Sequence, residues 1–151
     1  MKITGLYETH IFVSSLEQSI DFYTRVMGLP LAHIEEDRRV AFLWIEKEKQ
    51  SMLGLWEKPQ EEIELRHFAF RCDVRELLEN AVPFLKSNGL QPYNLLKDGT
   101  DRPMVFAWIP AVAIYFTDPD GHYLEYLGLL EGKARADLGV ISYEEWLEKT
   151  S

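Results

Sequence analysis

The sequence is poor in cysteine and in basic residues and has no long apolar run, and each shortage excludes a class of protein. Its 151 residues include one cysteine, so no internal disulfide can form, and we expect a reducing cytoplasm as its location. Sixteen Lys and Arg against 25 Asp and Glu give a formal charge of −9, which disfavours nucleic acids and anionic membranes as partners. No apolar run approaches the roughly 20 residues that span a bilayer, and the N-terminal residues up to Glu8 do not resemble a signal peptide.

The composition that remains is that of an ordinary globular domain. Hydrophobic residues make up 46% of the chain and charged residues 27%. A chain of this length buries enough apolar surface to fold without a disulfide or a structural metal. We therefore expect one domain over residues 1–130, followed by a C-terminal tail over residues 131–151 that contains a short amphipathic helix from Ser142.

Two stretches of the chain repeat one order of predicted elements, β-α-β-β-β. Module 1 covers about residues 5–58 and module 2 about residues 64–130, with an acidic segment at 57–64 between them. Each module opens with an alternating strand that contains a histidine, over 6–13 and 64–71. The sequence therefore predicts an α+β fold made of two βαβββ modules that pair with each other.

Capping residues mark the helix that follows each opening strand. The first helix is predicted to begin at Ser15, with Gln18 as its capping-box partner, and to stop at Gly28. The second is predicted to begin near Asp73, but Pro83 within it predicts either a kink or a later start nearer residue 80. The other predicted strands cover 31–35, 40–45 and 52–56 in module 1, and 91–96, 104–108, 112–117 and 123–127 in module 2.

Three side chains at related places have the chemistry of metal ligands. His10 and His67 occupy matching positions in the two opening strands, whereas His33 lies beside acidic residues and is expected to be exposed without a role. The turn Asp118-Pro-Asp-Gly joins two strands, and after His122, which we interpret as a turn residue, Glu125 falls in mid-strand on an apolar face. A carboxylate there must be paired, protonated or bound to a metal. Two histidines and a carboxylate form a facial triad that leaves coordination positions open.

Four segments of the sequence, residues 9–13, 19–30, 66–70 and 115–125, match a known pattern, and the last, Tyr-Phe-Thr-Asp-Pro-Asp-Gly-His-Tyr-Leu-Glu, is the most specific. In these segments the sequence resembles the vicinal oxygen chelate superfamily, which contains glyoxalase I, extradiol dioxygenases, fosfomycin-modifying thiol transferases and bleomycin-binding proteins. The resemblance implies a curved, barrel-like mixed sheet around a central cavity. It also implies one divalent metal ion (Fe, Mn, Zn or Ni) held by His10, His67 and Glu125, and assembly as a homodimer.

The sequence differs from the patterns of two subfamilies, glyoxalase I and the fosfomycin enzymes. Glyoxalase I usually has a further Glu ligand on the last strand of its first module, but position 54, interpreted as the repeat partner of Glu125, is glycine, and Glu57 is expected on the opposite face. Fosfomycin enzymes hold a phosphonate with basic residues before the Tyr-Phe segment, and here the nearest cation is Arg102. The segment before Tyr115 is apolar and aromatic instead, which predicts an apolar or aromatic substrate. The predicted pocket walls are Trp44, Trp56, Phe106, Trp108 and Tyr115. The alternative is that these aromatic residues only fill the core or a dimer interface.

The favoured hypothesis is a metal-dependent enzyme of the glyoxalase or dioxygenase type. Its substrate would chelate the metal through two neighbouring oxygens, and the reaction would be that of a lyase, an isomerase or a ring-cleaving dioxygenase. The sequence assigns no catalytic residue beyond the metal ligands, and Cys72 is interpreted as a buried structural thiol. Two alternatives stay open: a non-catalytic drug- or aromatic-binding resistance protein of the same fold, and a fosfomycin-type thiol transferase.

Overall fold

The computed structural model describes residues 1–151 and divides into two compact units. The first unit contains residues 1–66 together with the short segment 118–122. The second contains residues 67–117 and 123–151. No helix in the chain is both long enough and apolar enough to cross a membrane.

The first unit is built on a four-stranded sheet whose outer strand β1 pairs in parallel with β4. The order in the sheet is β1-β4-β3-β2, and the other neighbours are antiparallel. Helix α1 (Leu16–Asp21) continues as one π-helical turn over Phe22–Val26, and Ser15 caps its start by accepting a hydrogen bond from the Gln18 N–H. The apolar residues on the helix side of β1, β3 and β4 are buried. The strands are β1 (Glu8–Val13), β2 (Leu31–Glu35), β3 (Val40–Ile45) and β4 (Ser51–Glu57).

The second unit repeats this arrangement with one additional strand. Its order is β5-β8-β7-β6-β9, and β5 pairs in parallel with β8 as β1 does with β4. Helix α2 (Val74–Ser87) packs on β7 and β8, and helix α3 (Tyr143–Thr150) follows the last strand. The strands are β5 (His67–Arg71), β6 (Met104–Phe106), β7 (Ala111–Thr117), β8 (Tyr123–Leu129) and β9 (Val140–Ser142).

The predicted α+β duplication is confirmed, with one correction to the expected shape of the sheet. Each unit contains the order β-α-β-β-β, and the first and last strands of each repeat are parallel neighbours. The strands form two separate sheets of four and five strands, and neither closes into a barrel. Closure would require the two outer strands of a sheet to pair, whereas each of these sheets ends at an edge strand on both sides.

Most predicted elements in the second unit are confirmed, but two expectations are wrong and one strand was not predicted. The strand expected over 91–96 is wrong: only Tyr93 makes an isolated bridge, to Tyr115, because Pro92 has no N–H to continue a ladder. Strand β9 was not predicted. The later start of the second helix near residue 80 is also wrong, because Asp73 caps the helix at the Glu76 N–H, 3.0 Å away, and the buried stripe of α2 continues past Pro83.

Candidate functional site

The second sheet brings His67 and Glu125 into direct contact. His67 is the first residue of β5, and its parallel partner on β8 is Tyr123, two residues before Glu125. Side chains two residues apart on a strand lie on the same face, so Glu125 reaches the imidazole. The distance from His67 Nε2 to Glu125 Oε2 is 3.1 Å. Two of the three predicted ligands therefore lie side by side.

Glu125 is buried with one carboxylate oxygen that has no hydrogen-bond partner. The residue is 4% exposed, and Oε1 is the atom without a partner. Burial raises the pKa of the Glu125 carboxyl from its ordinary value of 4.5, although the neighbouring His67 acts to lower it. A buried acceptor without a donor costs about 1–3 kcal/mol, and a bound cation removes that cost.

The imidazole of His67 is oriented as metal-binding histidines are. Its Nδ1 lies 3.0 Å from the backbone oxygen of Tyr123, and a carbonyl oxygen can only accept, so Nδ1 carries the proton. Nε2 is then the nitrogen that faces Glu125 Oε2, 3.1 Å away, and a proton or a cation must lie between these two atoms, because a carboxylate oxygen and an unprotonated imidazole nitrogen both only accept. A histidine that ligates a metal through Nε2 usually donates its Nδ1–H to such a carbonyl. The donor set of His67 and Glu125 fits a divalent metal ion.

Tyrosines surround His67 and form a small pocket of about 270 Å³. Tyr115 lies edge-on to the His67 ring, with ring centroids 5.5 Å apart. The ring centroids of Tyr93 and Tyr115 are 5.3 Å apart. Burial, with a smaller contribution from Glu125, raises the pKa of Tyr115 to about 12, so its hydroxyl stays protonated at neutral pH and can donate. Tyr123 and Leu95 complete the lining.

Of the three aromatic residues predicted as pocket walls in this unit, Tyr115 lines this pocket, Phe106 contacts Tyr115, and Trp108 is not among the lining residues. Phe106 lies 6.3 Å from Tyr115 between ring centroids. Trp108 lies in the turn between β6 and β7 and is 62% exposed. The sequence analysis missed Tyr93 and Leu95, because the segment that carries them was interpreted as a regular strand.

In the first unit, His10 differs from His67 in the partner of its Nδ1, whereas a carboxylate lies near Nε2 in both rings. The Trp56 indole Nε1–H donates to His10 Nδ1 at 2.5 Å, and Glu8 Oε2 lies 3.3 Å from His10 Nε2. Phe42 approaches the ring edge-on, with centroids 5.8 Å apart. Trp44 is half-buried on β3, opposite Met52.

The pairing register changes which residue corresponds to Glu125 in the first sheet. His10 is paired with Gly54, as His67 is paired with Tyr123. Counted from the histidines, the partner of Glu125 two residues further on is therefore Trp56, not position 54 as predicted. Gly54 has a different role: a Cβ there would lie 2.9 Å from His10 Nδ1, so only glycine leaves space for the ring.

Glu57, the other acid near this position, is already used structurally. Its Oε2 accepts the Leu16 N–H at 2.7 Å at the start of α1, and both its oxygens accept from the Arg39 guanidinium. These contacts, that of Arg39 first, lower the pKa of the Glu57 carboxyl. Glu57 thus anchors the helix to its sheet.

His122 has a structural role that the sequence analysis did not find. It is fully buried; its Nδ1 accepts the backbone N–H of Arg66 at 3.0 Å, and its Nε2–H donates to the Phe12 carbonyl oxygen at 2.7 Å. The turn that precedes it is held by Tyr23, whose hydroxyl donates to Asp118 at 2.8 Å. The only signal in the sequence was the position of His122 directly after the turn, which is also compatible with exposure.

The two remaining expectations concern residues without a role in the site. His33 is exposed as predicted. Cys72 is partly buried, and burial raises the pKa of its thiol to about 11, which agrees with a structural thiol and not a nucleophile.

The structure contains no group of three or more His, Cys, Asp or Glu side chains arranged to hold a metal ion. His67 and Glu125 form a pair in the second unit, and His10 belongs to the first unit with its own partners. The complete triad therefore stays a prediction.

Comparisons with known proteins agree with this fold. The family described as Glyoxalase/Bleomycin resistance protein/Dioxygenase superfamily matches residues 5–126. An integron cassette protein from the mobile metagenome of the Halifax Harbour sewage outfall is 33% identical, with a TM-score of 0.71 over 84% of this chain and all of that one. Lactoylglutathione lyase from Agrobacterium tumefaciens is 18% identical (TM-score 0.65; 85% and 96% covered), as is the fosfomycin resistance protein FosX from Mesorhizobium loti (TM-score 0.60; 85% and 95% covered).

Proposed function

The chain belongs to the Glyoxalase/Bleomycin resistance protein/Dioxygenase superfamily, and on that basis we propose that it is a metal-dependent enzyme acting on a small apolar or aromatic substrate with two neighbouring oxygens. The observation that most supports a metal is the buried Oε1 of Glu125, which has no partner while His67 Nε2 lies beside the same carboxylate. An apolar protein interior does not keep such a carboxylate without a compensating group.

We assign His67 Nε2 and the Glu125 carboxylate as ligands, with His10 as the third ligand predicted from the family. Iron, manganese, zinc and nickel all suit two imidazoles and a carboxylate. When bound, the metal supplies a Lewis acid that polarises the substrate oxygens. The backbone carbonyl of Tyr123 keeps the His67 proton on Nδ1 and so leaves Nε2 free to bind.

The tyrosine pocket beside His67 supports the choice of substrate. Its volume of about 270 Å³ lies just below the roughly 300–1,000 Å³ of typical ligand pockets. The rings of Tyr93 and Tyr115 offer flat apolar walls, and the Tyr115 hydroxyl, protonated at neutral pH, can donate a hydrogen bond. The contrast with a phosphonate site is clear, because no Lys or Arg lines this pocket.

The reaction class follows from the family only at a coarse level. Lactoylglutathione lyase and an oxidase are among the similar structures, so a lyase or isomerase and an oxygen-dependent reaction are the two chemistries to compare. Oxygen uptake with catechol as the probe, set against isomerisation of the methylglyoxal–glutathione adduct, distinguishes them.

Metal content by elemental analysis tests the proposal. We expect about one equivalent of a divalent metal per chain, and in His67→Ala and in Glu125→Gln a loss of affinity of at least the roughly 10–100-fold that follows removal of an outer-shell partner of a metal ligand. His33→Ala, which changes an exposed histidine, is the matched control and should retain the metal. If the wild type takes up no metal even after anaerobic loading with Fe(II), Mn(II), Ni(II) and Zn(II), the proposal fails and the non-catalytic binding protein becomes the better hypothesis.

A further inference from the structure

The hydrogen bond between Trp56 and His10 fixes the position of a proton. An indole N–H can only donate, so His10 Nδ1, 2.5 Å from Trp56 Nε1, must be the accepting and unprotonated nitrogen. A neutral imidazole has one N–H, which therefore lies on Nε2. The Glu8 carboxylate, 3.3 Å from Nε2, is an acceptor that agrees with this assignment.

This tautomer is the wrong one for a metal ligand that binds through Nε2. To bind, His10 must move its proton to Nδ1, where the Trp56 N–H already points at the ring. Two donors would then face each other, and the hydrogen bond would be lost. In the second sheet the equivalent nitrogen of His67 faces a carbonyl oxygen, and no such conflict exists.

The surroundings of the His10 ring favour this arrangement. The ring lies over Gly54, where any Cβ would be 2.9 Å from Nδ1, and the edge-on contact with Phe42 limits its rotation. The Arg38 guanidinium lies 5.4 Å from the Trp56 ring centroid on its face and holds the indole by a cation–π contact. Both partners of the hydrogen bond are thus held in place.

We propose that Trp56 is a positioning residue that holds His10 as a neutral Nε2–H donor and thereby weakens His10 as a metal ligand relative to His67. The proposal rests on the proposed metal function for its effect on affinity, but the position of the proton can be measured without any metal. One neutral hydrogen bond corresponds to about a tenfold change in affinity at most. His67 and Glu125 then bind the metal first, and the contribution of His10 is reduced and not abolished.

The first experiment reads the tautomer directly. Long-range ¹H–¹⁵N spectra of the metal-free protein, assigned with His10→Gln, distinguish a ring that is protonated at Nε2 from one protonated at Nδ1. We expect His10 protonated at Nε2 in the wild type and in Trp146→Phe, and a mixture of tautomers in Trp56→Phe. A wild-type His10 protonated at Nδ1 would overturn the proposal.

The second experiment is a double-mutant cycle with Zn(II) as the probe. We expect Trp56→Phe to tighten Zn(II) binding by up to about tenfold and to have no effect when His10 is already Ala. Trp146→Phe, which changes a buried tryptophan on α3 outside the predicted site, is the matched control and should leave the affinity unchanged. Unchanged or weaker binding in Trp56→Phe contradicts the effect on the ligand. If the wild type binds no metal, the proposed function fails, and the tautomer spectra still decide the position of the proton.

Discussion

His10 and His67 occupy the same place in two repeated sheets, yet the partners of their Nδ1 atoms differ in kind, a donor at His10 and an acceptor at His67. Each lies on a strand parallel to the last strand of its repeat, and in each the residue two positions beyond its register partner contacts the ring. In the second sheet that residue is Glu125, and a carbonyl accepts from Nδ1; in the first it is Trp56, which donates to Nδ1. The comparison teaches that the fold places the imidazole, whereas the partner of Nδ1 decides what Nε2 can do.

A third histidine, His122, extends this comparison, and its replacement is expected to cause the largest loss of stability. His122 also accepts at Nδ1, but it is fully buried and both its nitrogens have protein partners. We expect His122→Ala to lower the free energy of unfolding by about 3 kcal/mol, because it leaves a buried N–H and a carbonyl without partners and creates a cavity. Urea denaturation measures this, and His33→Ala, on an exposed edge, should change the value by less than about 0.5 kcal/mol. If both variants lower the free energy of unfolding by an equally small amount, burial does not make His122 more important for stability than His33.

Gly54→Ala tests whether the first sheet depends on the close approach of its histidine. The new Cβ would lie 2.9 Å from His10 Nδ1, so the ring must move and the hydrogen bond from Trp56 must lengthen or break. We expect a loss of about 1–2 kcal/mol, within the usual range for overpacking, measured by thermal denaturation. Gly5→Ala is the control, since a Cβ there would meet nothing within 4 Å. If both variants unfold at the wild-type temperature, the close contact has no energetic consequence.

Glu125→Gln measures how much stability the metal-free protein loses by burying the Glu125 carboxylate. Because the folded state raises the pKa of this carboxyl, the metal-free fold binds the proton more tightly than the unfolded chain does. The Glu125 contribution to stability is therefore most favourable below pH 4.5 and declines as the pH rises through the raised pKa. At pH 7 we expect metal-free Glu125→Gln to be more stable than the wild type by about 1 kcal/mol, the lower end of the cost of a buried group without a partner.

The control for this prediction is the same pair of proteins below pH 4.5, where the carboxyl is neutral in both states and the difference should disappear. A metal-free Glu125→Gln that is less stable than the wild type at pH 7 would mean that the pair with His67 outweighs the burial of the charge.

Much of the fold could be predicted from the sequence because local signals and the repeat agreed. Ser15 and Asp73 cap the two helices whose starts were predicted from these residues, and the turn that begins at Asp118 joins β7 to β8 as expected. Strand β9 and the irregular path around Tyr93 could not be predicted, because both depend on distant partners, β6 and Tyr115, and not on a local pattern.

The candidate site was predictable at the level of residue types and less so at the level of hydrogen bonds. The sequence analysis placed Glu125 and His67 in one predicted ligand set, and the structure brings these two side chains into contact. The role of Trp56 was not predictable, because it depends on the register of β1 against β4, and the sequence analysis placed Gly54 at that position. A difference of two residues along a strand keeps the same face, so alternation alone could not distinguish the two positions.

The most direct test of a metal centre on the second sheet is the anomalous scattering of a zinc-loaded crystal, collected on both sides of the zinc absorption edge. We predict a zinc ion bonded to His67 Nε2 and to the Glu125 carboxylate, including the Oε1 atom that now has no partner, at about 2.0–2.2 Å. An anomalous peak elsewhere, or no peak while Oε2 keeps its 3.1 Å contact with Nε2, would contradict the account.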